Sequence, residues 1–278
     1  VLAVDCADND ALEAARNAFY SRRLLLESAP PFRFMIARCE GGDWLFLKMS
    51  HAVTDAYGAY RFLQSVLRRL AGVNDTQPEE IDVIPARNLS QEFGAKSMAD
   101  RIRRSTSLLG YLMESVLLPT RIAPLFGESK NGVGFVSHTF TAAETDGLAV
   151  LRKGSATLND VLATLLHHTI SRWNDNHQER SSRITLMNAV SLRPTTWRQE
   201  GVGNLSMWVN VVSTPTERFS YERTLASVTE QTRKLKAQET AGILMDLLNM
   251  VQILPVKLRK ALTHLMPLTG NFVVDTSV

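Results

Sequence analysis

The run that most constrains this chain is "DWLFLKMSHAVTDAYGAYRFLQSVLRRL", residues 43–70. Its first part is almost wholly apolar, the mark of a strand covered on both faces rather than one with a wet side. Its last part, residues 60–70, sets Phe62, Leu63, Val66, Leu67 and Leu70 on one helical face and Arg61, Arg68 and Arg69 elsewhere. A buried strand leading into an amphipathic helix points to an α/β fold. At the seam lies a turn of small residues carrying His51 and, four residues on, Asp55.

The rest of the chain repeats that mixture. "DALEAARNAFYSRRLLLES" reads as a helix closed by Pro30 and Pro31. "FRFMIARC" and "DWLFLKMS" read as a hairpin turning at Gly41 and Gly42. Residues 72–95 are polar and contain proline, so they read as loop, and residues 96–126 form a basic amphipathic segment. That segment reads as a helix packed on the core, with a lipid- or membrane-facing surface as the alternative. Thr157 and Asp160 form a capping box for a helix over 157–173, with an apolar stripe through Leu158, Val161, Leu162, Leu165, Leu166, Thr169, Ile170 and Trp173. "RITLMNAVSL" and "SMWVNVVS" read as strands, and 220–238 and 242–254 as helices, the second stopped by Pro255. Both halves mix strands and helices, so two lobes are expected, 1–130 and 131–278. The chain opens without Met and closes on the strand-like "NFVVDTSV", which reads as a fragment whose ends are missing.

Composition narrows the function. With 31 basic and 28 acidic side chains, net charge +3, and no basic run interleaved with aromatics, a nucleic-acid partner is not expected. Cys6 and Cys39 stand far apart in sequence without a CxxC, which fits a reduced, cytoplasmic setting. No secretory signal stands out, and no apolar run reaches the about 18 residues needed to span a bilayer.

An imidazole is mostly neutral at pH 7 and suits general-base work on a hydroxyl or amine, and His51 has that capacity; a hydrogen-bonded structural histidine is the plainer alternative. Metal binding is not expected. His51 and Asp55 lack a third ligand at local spacing, and the adjacent His167 and His168 cannot share a helix face; both are expected at the surface. There is no GxSxG elbow, Walker lysine or GxGxxG, and Cys39 reads as a small buried hydrophobe within a strand. Arg193 ends an apolar strand just before Pro194. A carboxylate partner would let it be buried, and Asp55 is the natural candidate. "GVGNLS" places a Gly-Asn turn ahead of the last of these strands.

Taken in order, "SHAVTDAYG", "TLNDVLATLLHHTISRW", "VSLRP" and "GVGNLS" resemble the HxxxD acyltransferase superfamily. That group holds chloramphenicol acetyltransferase, the condensation domains of nonribosomal peptide synthetases, and the wax ester synthase and alcohol acetyltransferase branches. The form of the motif resembles most the stand-alone, alcohol-acetyltransferase-like members. The resemblance covers roughly residues 30–278. It implies two chloramphenicol-acetyltransferase-like lobes of mixed sheets and flanking helices, with an active-site tunnel between them. By the same resemblance His51 is the catalytic base, and Asp55 pairs with Arg193 to hold the loop, with Gly58 in support. Tyr57, Asn204, Ser206 and Trp208 correspond to substrate-side positions.

The reaction implied moves an acyl group from acyl-CoA, or from a phosphopantetheine-linked donor on an acyl carrier protein, to a small-molecule alcohol or amine. No permanently bound cofactor is expected. The apolar residues 108–126 favour a lipid-like substrate, and peripheral membrane contact goes with the alternative reading of 96–126. The alternatives are a nonribosomal-peptide condensation domain and an inactive acyl-binding or scaffolding module of the same fold. The sequence departs from the usual HHxxxDG at Ser50 and Ala56. The extra methyl of Ala56 is expected to restrict positive φ, with Gly58 supplying that freedom instead. The family's first strand is not evident, nor are its final ones.

Overall fold

A computed structural model describes residues 1–27, 29–75, 94–115, 120–124, 138–193, 201–237, 242–243, 254–265 and 272–273. The chain divides into two compact units. Val1–Arg87, Phe126–Thr139 and Arg193–Leu205 make the first; Asn88–Leu125, Phe140–Leu192 and Ser206–Val278 make the second. The predicted helix over 242–254 falls largely outside the described residues, as do most side chains of 108–126.

The first unit is built on a three-stranded sheet of order β1-β2-β3, with β1 (Leu2–Asp5), β2 (Phe32–Arg38) and β3 (Trp44–Met49). β1 runs parallel to β2, and β2 antiparallel to β3. Asp8 caps helix α1 (Asn9–Ser21) by accepting from the Ala11 amide at 2.8 Å. β1 is a strand that the sequence reading did not mark, because a four-residue run ending in an acid carries almost no periodicity. The hairpin turns at Gly42, whose φ of 121° needs a residue without a Cβ. β3 departs from expectation. At one end of this sheet's strand order, it is half-buried along most of its length, with Trp44 and Leu45 exposed, rather than covered on both faces.

Cys39 sits one residue past β2 and is only half-buried. Beside it lies the buried Cys6, whose amide donates to the Arg38 carbonyl at 2.8 Å. The Cys39 thiol donates to the Ala37 carbonyl at 3.9 Å, and desolvation followed by the Cys6 neighbour raises its pKa.

Helix α2 (Ala56–Leu70) begins four residues earlier than its apolar pattern, at the cap supplied by Asp55. Arg61 is buried rather than solvent-facing, because its guanidinium reaches Asp75 at 3.0 Å, and Arg68 joins the same carboxylate at 3.0 Å. The Arg61 hydrogen bond, first among several, holds the Asp75 carboxyl well below the usual carboxylate range.

In the second unit the sheet has order β5-β4-β6, with β4 (Ile184–Ser191) antiparallel to β5 (Ser206–Ser213) and parallel to β6 (Phe272–Val273). Its helices are α3 (Met98–Ser115), α4 (Ala142–Leu151), α5 (Leu158–Asn176), α6 (Tyr221–Ala237) and α7 (Val256–Leu265). Ala163 and Ile170 of α5, Ile184 and Leu186 of β4, Val211 of β5 and Val228 of α6 form its core. The helix predicted across 96–126 stops short of that range: residues 120–124 are not helical. They lie against the end of α5, where Asn174 accepts from the Ala123 amide at 2.8 Å and Trp173 donates to the Ala123 carbonyl at 2.9 Å.

The Thr157–Asp160 capping box opens α5 as read from the sequence, but the buried line along that helix is rotated from the apolar stripe. Thr164, His167 and Asn174 are fully buried on it, while Leu158 and Trp173 are partly exposed. The expectation that both histidines face solvent therefore fails for His167, because side chains across the core offer it a polar partner. Its Nδ1 meets Ser213 Oγ at 2.8 Å, and Arg218 donates to that same oxygen at 2.9 Å. His168, half-buried, meets Thr224 Oγ1 at 2.9 Å.

Burial first, and then the neighbouring Arg218 guanidinium, pushes the His167 pKa down to about 3. The unfolded chain binds this proton near pH 6.5 and the folded chain does not. The stability His167 contributes is thus present above about pH 6.5 and lost as pH falls toward 3, by up to about 1.4 kcal/mol per pH unit. Urea midpoints of the chain should fall over that window, and His167→Gln should flatten the slope. An unchanged slope in the variant would place the acid sensitivity elsewhere.

Candidate active site

The site grows out of the end of β3. Ser50 anchors the strand end through its amide, which donates to the Pro31 carbonyl at 2.8 Å. The chain then turns over residues 51–53, closed by the Val53 amide on the Ser50 carbonyl at 3.1 Å, and presents His51 to solvent. Asp55 follows as the N-cap of α2, in extended conformation, its Oδ1 accepting from the Gly58 amide at 2.9 Å. An aspartate here is what a helix start favours, since it satisfies an orphan N–H and sits at the positive end of the helix.

The Asp55 carboxylate is turned inward. Its Oδ1 also accepts from Arg193 Nη2 at 2.6 Å, and its Oδ2 from the Leu205 amide at 3.0 Å. The side chains are 4% exposed for Asp55 and 1% for Arg193. Arg193 further donates to the Gly201 carbonyl at 2.7 Å and the Gly203 carbonyl at 2.8 Å, and the Tyr57 ring lies 6.0 Å from its guanidinium carbon. One buried guanidinium thus gathers a carboxylate, two glycine carbonyls and an aromatic face. None of the Asp55 hydrogen bonds goes to the His51 ring, so the two motif residues do not form a dyad.

Residues 201–205 form a strap across the start of α2. The Asp55 amide donates to the Gly203 carbonyl at 3.2 Å, and Asn204 Nδ2 donates to the His51 carbonyl at 2.7 Å. Gly58 is where the strap and the helix come closest. A Cβ there would lie 2.2 Å from Thr54 Oγ1, 2.9 Å from Gly203 N and 3.0 Å from Gly203 O. This corrects the expected role of Gly58. Among the described residues the glycines with positive φ are Gly42, Gly72 and Gly154, so neither Ala56 nor Gly58 uses that freedom. Gly58 is needed for its missing side chain.

In an open helix Gly→Ala would stabilise by about 1 kcal/mol. Here Gly58→Ala should instead destabilise by about 1–3 kcal/mol, the scale of forced overpacking. Thermal unfolding checks the sign, and a rise in melting temperature would show that the strap can yield.

Ser206 and Trp208 lie in the second unit on β5, both half-buried, opposite Ser191 and Ala189 of β4. Sequence reasoning missed the parts played by Gly201, Gly203 and Leu205. Their signal was present in "GVGNLS": glycine carbonyls and an unprotected amide are ready partners for an arginine and a carboxylate, but backbone partners leave no side-chain type to recognise. Among the described residues no group of three or more His, Cys, Asp or Glu gathers as metal ligands would, and no helix is long and apolar enough to cross a membrane.

Comparison with known proteins gives this arrangement its context. No family model matches the chain. The first condensation domain of the CDA synthetase superposes with a TM-score of 0.65 at 16% identity, covering 86% of this chain and 54% of that one. The fold is that of the condensation domains.

Other proteins of this condensation fold align comparably. The epimerization domain from the third module of tyrocidine synthetase B gives a TM-score of 0.58 at 15% identity, over 88% of this chain and 56% of that one. SgcC5 from Streptomyces globisporus, solved with (R)-(-)-1-(2-naphthyl)-1,2-ethanediol and sucrose, gives 0.61 at 13% identity, over 86% and 56%. In sequence, the uncharacterized proteins MT2362 and Rv2305 of Mycobacterium tuberculosis, strains CDC 1551 / Oshkosh and ATCC 25618 / H37Rv, are each 32% identical over 282 residues. These matches take in 99% of this chain, which spans 64% of the length of those relatives.

Proposed function

We propose that this chain carries the acyl-transfer centre of an HxxxD-type acyltransferase, moving an acyl group from a thioester to a hydroxyl or amine with His51 as general base. The observation that carries this reading is the division of labour at the turn. Asp55 and Arg193 are locked together out of solvent, while His51 is presented outward. A motif acid used to polarise the imidazole would face it; one used to fix the loop would face inward, as Asp55 does.

In the proposed reaction the His51 imidazole takes the proton of the acceptor O–H or N–H as that atom attacks the thioester carbonyl. The new C–O or C–N bond forms, the C–S bond breaks, and the leaving thiolate takes the proton back from the imidazolium.

A hydroxyl acceptor is the form we favour, with acyl-CoA as donor in a cytoplasmic setting. Support for a hydroxyl comes from the like-folded SgcC5, whose structure holds a small aromatic diol. The alternative donor is an acyl group on a carrier protein, which the likeness to the CDA synthetase domain supports. The deciding measurement is free-thiol release from acyl-CoAs of several chain lengths, with alcohols and amines as acceptors, beside the same acyl groups loaded on a carrier protein. Acceptor-dependent release from CoA supports the CoA-dependent form, and release from the carrier alone selects the condensation-type donor. Tight acyl-CoA binding without turnover from either donor would make the chain a binding module instead.

A further inference from the structure

We propose that Asn204 is a positioning residue for His51, acting through the histidine's backbone rather than through substrate. This rests on the reading of His51 as the base. The His51 carbonyl lies in a turn of small residues, where the hydrogen bonds of the turn itself are short-range: Val53 N to the Ser50 carbonyl, and Ala52 N to Ser50 Oγ at 3.3 Å. Among the described residues, the long-range tie to His51 itself comes from Asn204, whose Nδ2 donates to its carbonyl at 2.7 Å across 153 residues of sequence. A carbonyl can only accept, so it must be the amide NH₂ of Asn204 that faces it.

What makes Asn204 a clamp is that its own backbone is fixed on both sides. Gly203 before it is held by Arg193 and by the Asp55 amide, and Leu205 after it donates to the Asp55 carboxylate. The buried ion pair therefore sets the strap, the strap sets Asn204, and Asn204 sets the backbone from which the imidazole projects. Asp55, facing inward, reaches His51 by this route.

The bond is exposed, so its effect is that of one net hydrogen bond, about five- to tenfold. Asn204→Ala should lower kcat by that factor with KM nearly unchanged. Asn204→Asp, the same shape with an oxygen turned to the carbonyl, should lose at least as much. In the His51→Ala background Asn204→Ala should bring no further loss. Independently of turnover, amide hydrogen exchange at Val53 should quicken in Asn204→Ala by a similar factor, while Asp55, still bonded to Gly203, keeps its protection.

A rise in KM at constant kcat would overturn the inference and return Asn204 to substrate binding. Unchanged exchange and unchanged kcat, with His51→Ala inactive, would overturn the clamp and leave the base standing. Full activity in His51→Ala would overturn the base itself, and with it any catalytic role for Asn204.

Discussion

Asp55→Ala is expected to cost the first unit about 3–5 kcal/mol, the scale of removing one partner from a buried ion pair. About 1 kcal/mol more should go with the lost cap of α2. With the Asp55 and Arg193 side chains 4% and 1% exposed, bulk solvent does not screen the site of the missing carboxylate. Arg193 keeps the Gly201 and Gly203 carbonyls but loses the Asp55 carboxylate, and the Gly58 and Leu205 amides lose their acceptors. Against a total stability of about 5–15 kcal/mol, this is enough to shift denaturation midpoints severely. Asp55→Asn should fall between, because an amide oxygen can still cap the helix. The measurement is urea unfolding followed by circular dichroism. A loss under about 1 kcal/mol would class the pair with solvent-screened surface bridges and remove the structural role assigned to it.

His51→Ala should behave in the opposite way. The side chain is exposed and its ring makes no hydrogen bond among the described residues, so stability should change by no more than about 0.5 kcal/mol. Acyl transfer should fall by roughly 10²–10⁴-fold, the usual effect of removing a positioned general base. The loss should appear in kcat. A change confined to KM would make His51 a binding group, and an unchanged rate would remove it from the reaction. Together the two variants separate the residue that performs the step from the one that holds the scaffold.

Much of this site could be read from the sequence because its parts obey strong local rules. An apolar strand, a turn of small residues and an amphipathic helix place His51 and Asp55 at one seam, and an arginine at the end of an apolar strand needs a carboxylate. What could not be read was decided by contacts between distant segments. The Gly58 position looks like a source of backbone freedom until Gly203 is seen pressed against it. Arg61 looks like a surface residue until Asp75 reaches it. His167 breaks the apolar stripe of α5 and would be placed outside by periodicity, yet Ser213 makes its burial tolerable. In each case tertiary partners overrode a one-dimensional pattern. The short β1 failed for a different reason: four residues are too few for alternation to register.

The Asp55–Arg193 pair spans 138 residues of sequence. The loop it closes must be drawn together before the pair can form, so this contact is slow to nucleate and raises the contact order of the whole chain. During synthesis the stretch from β3 to α2 leaves the ribosome long before Arg193 and the Gly201–Leu205 strap. Until then Asp55 has its helix cap but no counter-ion, and the turn bearing His51 lacks its far-side support. Assembly of the histidine turn therefore waits on synthesis of the 150 residues that separate Asp55 from Leu205.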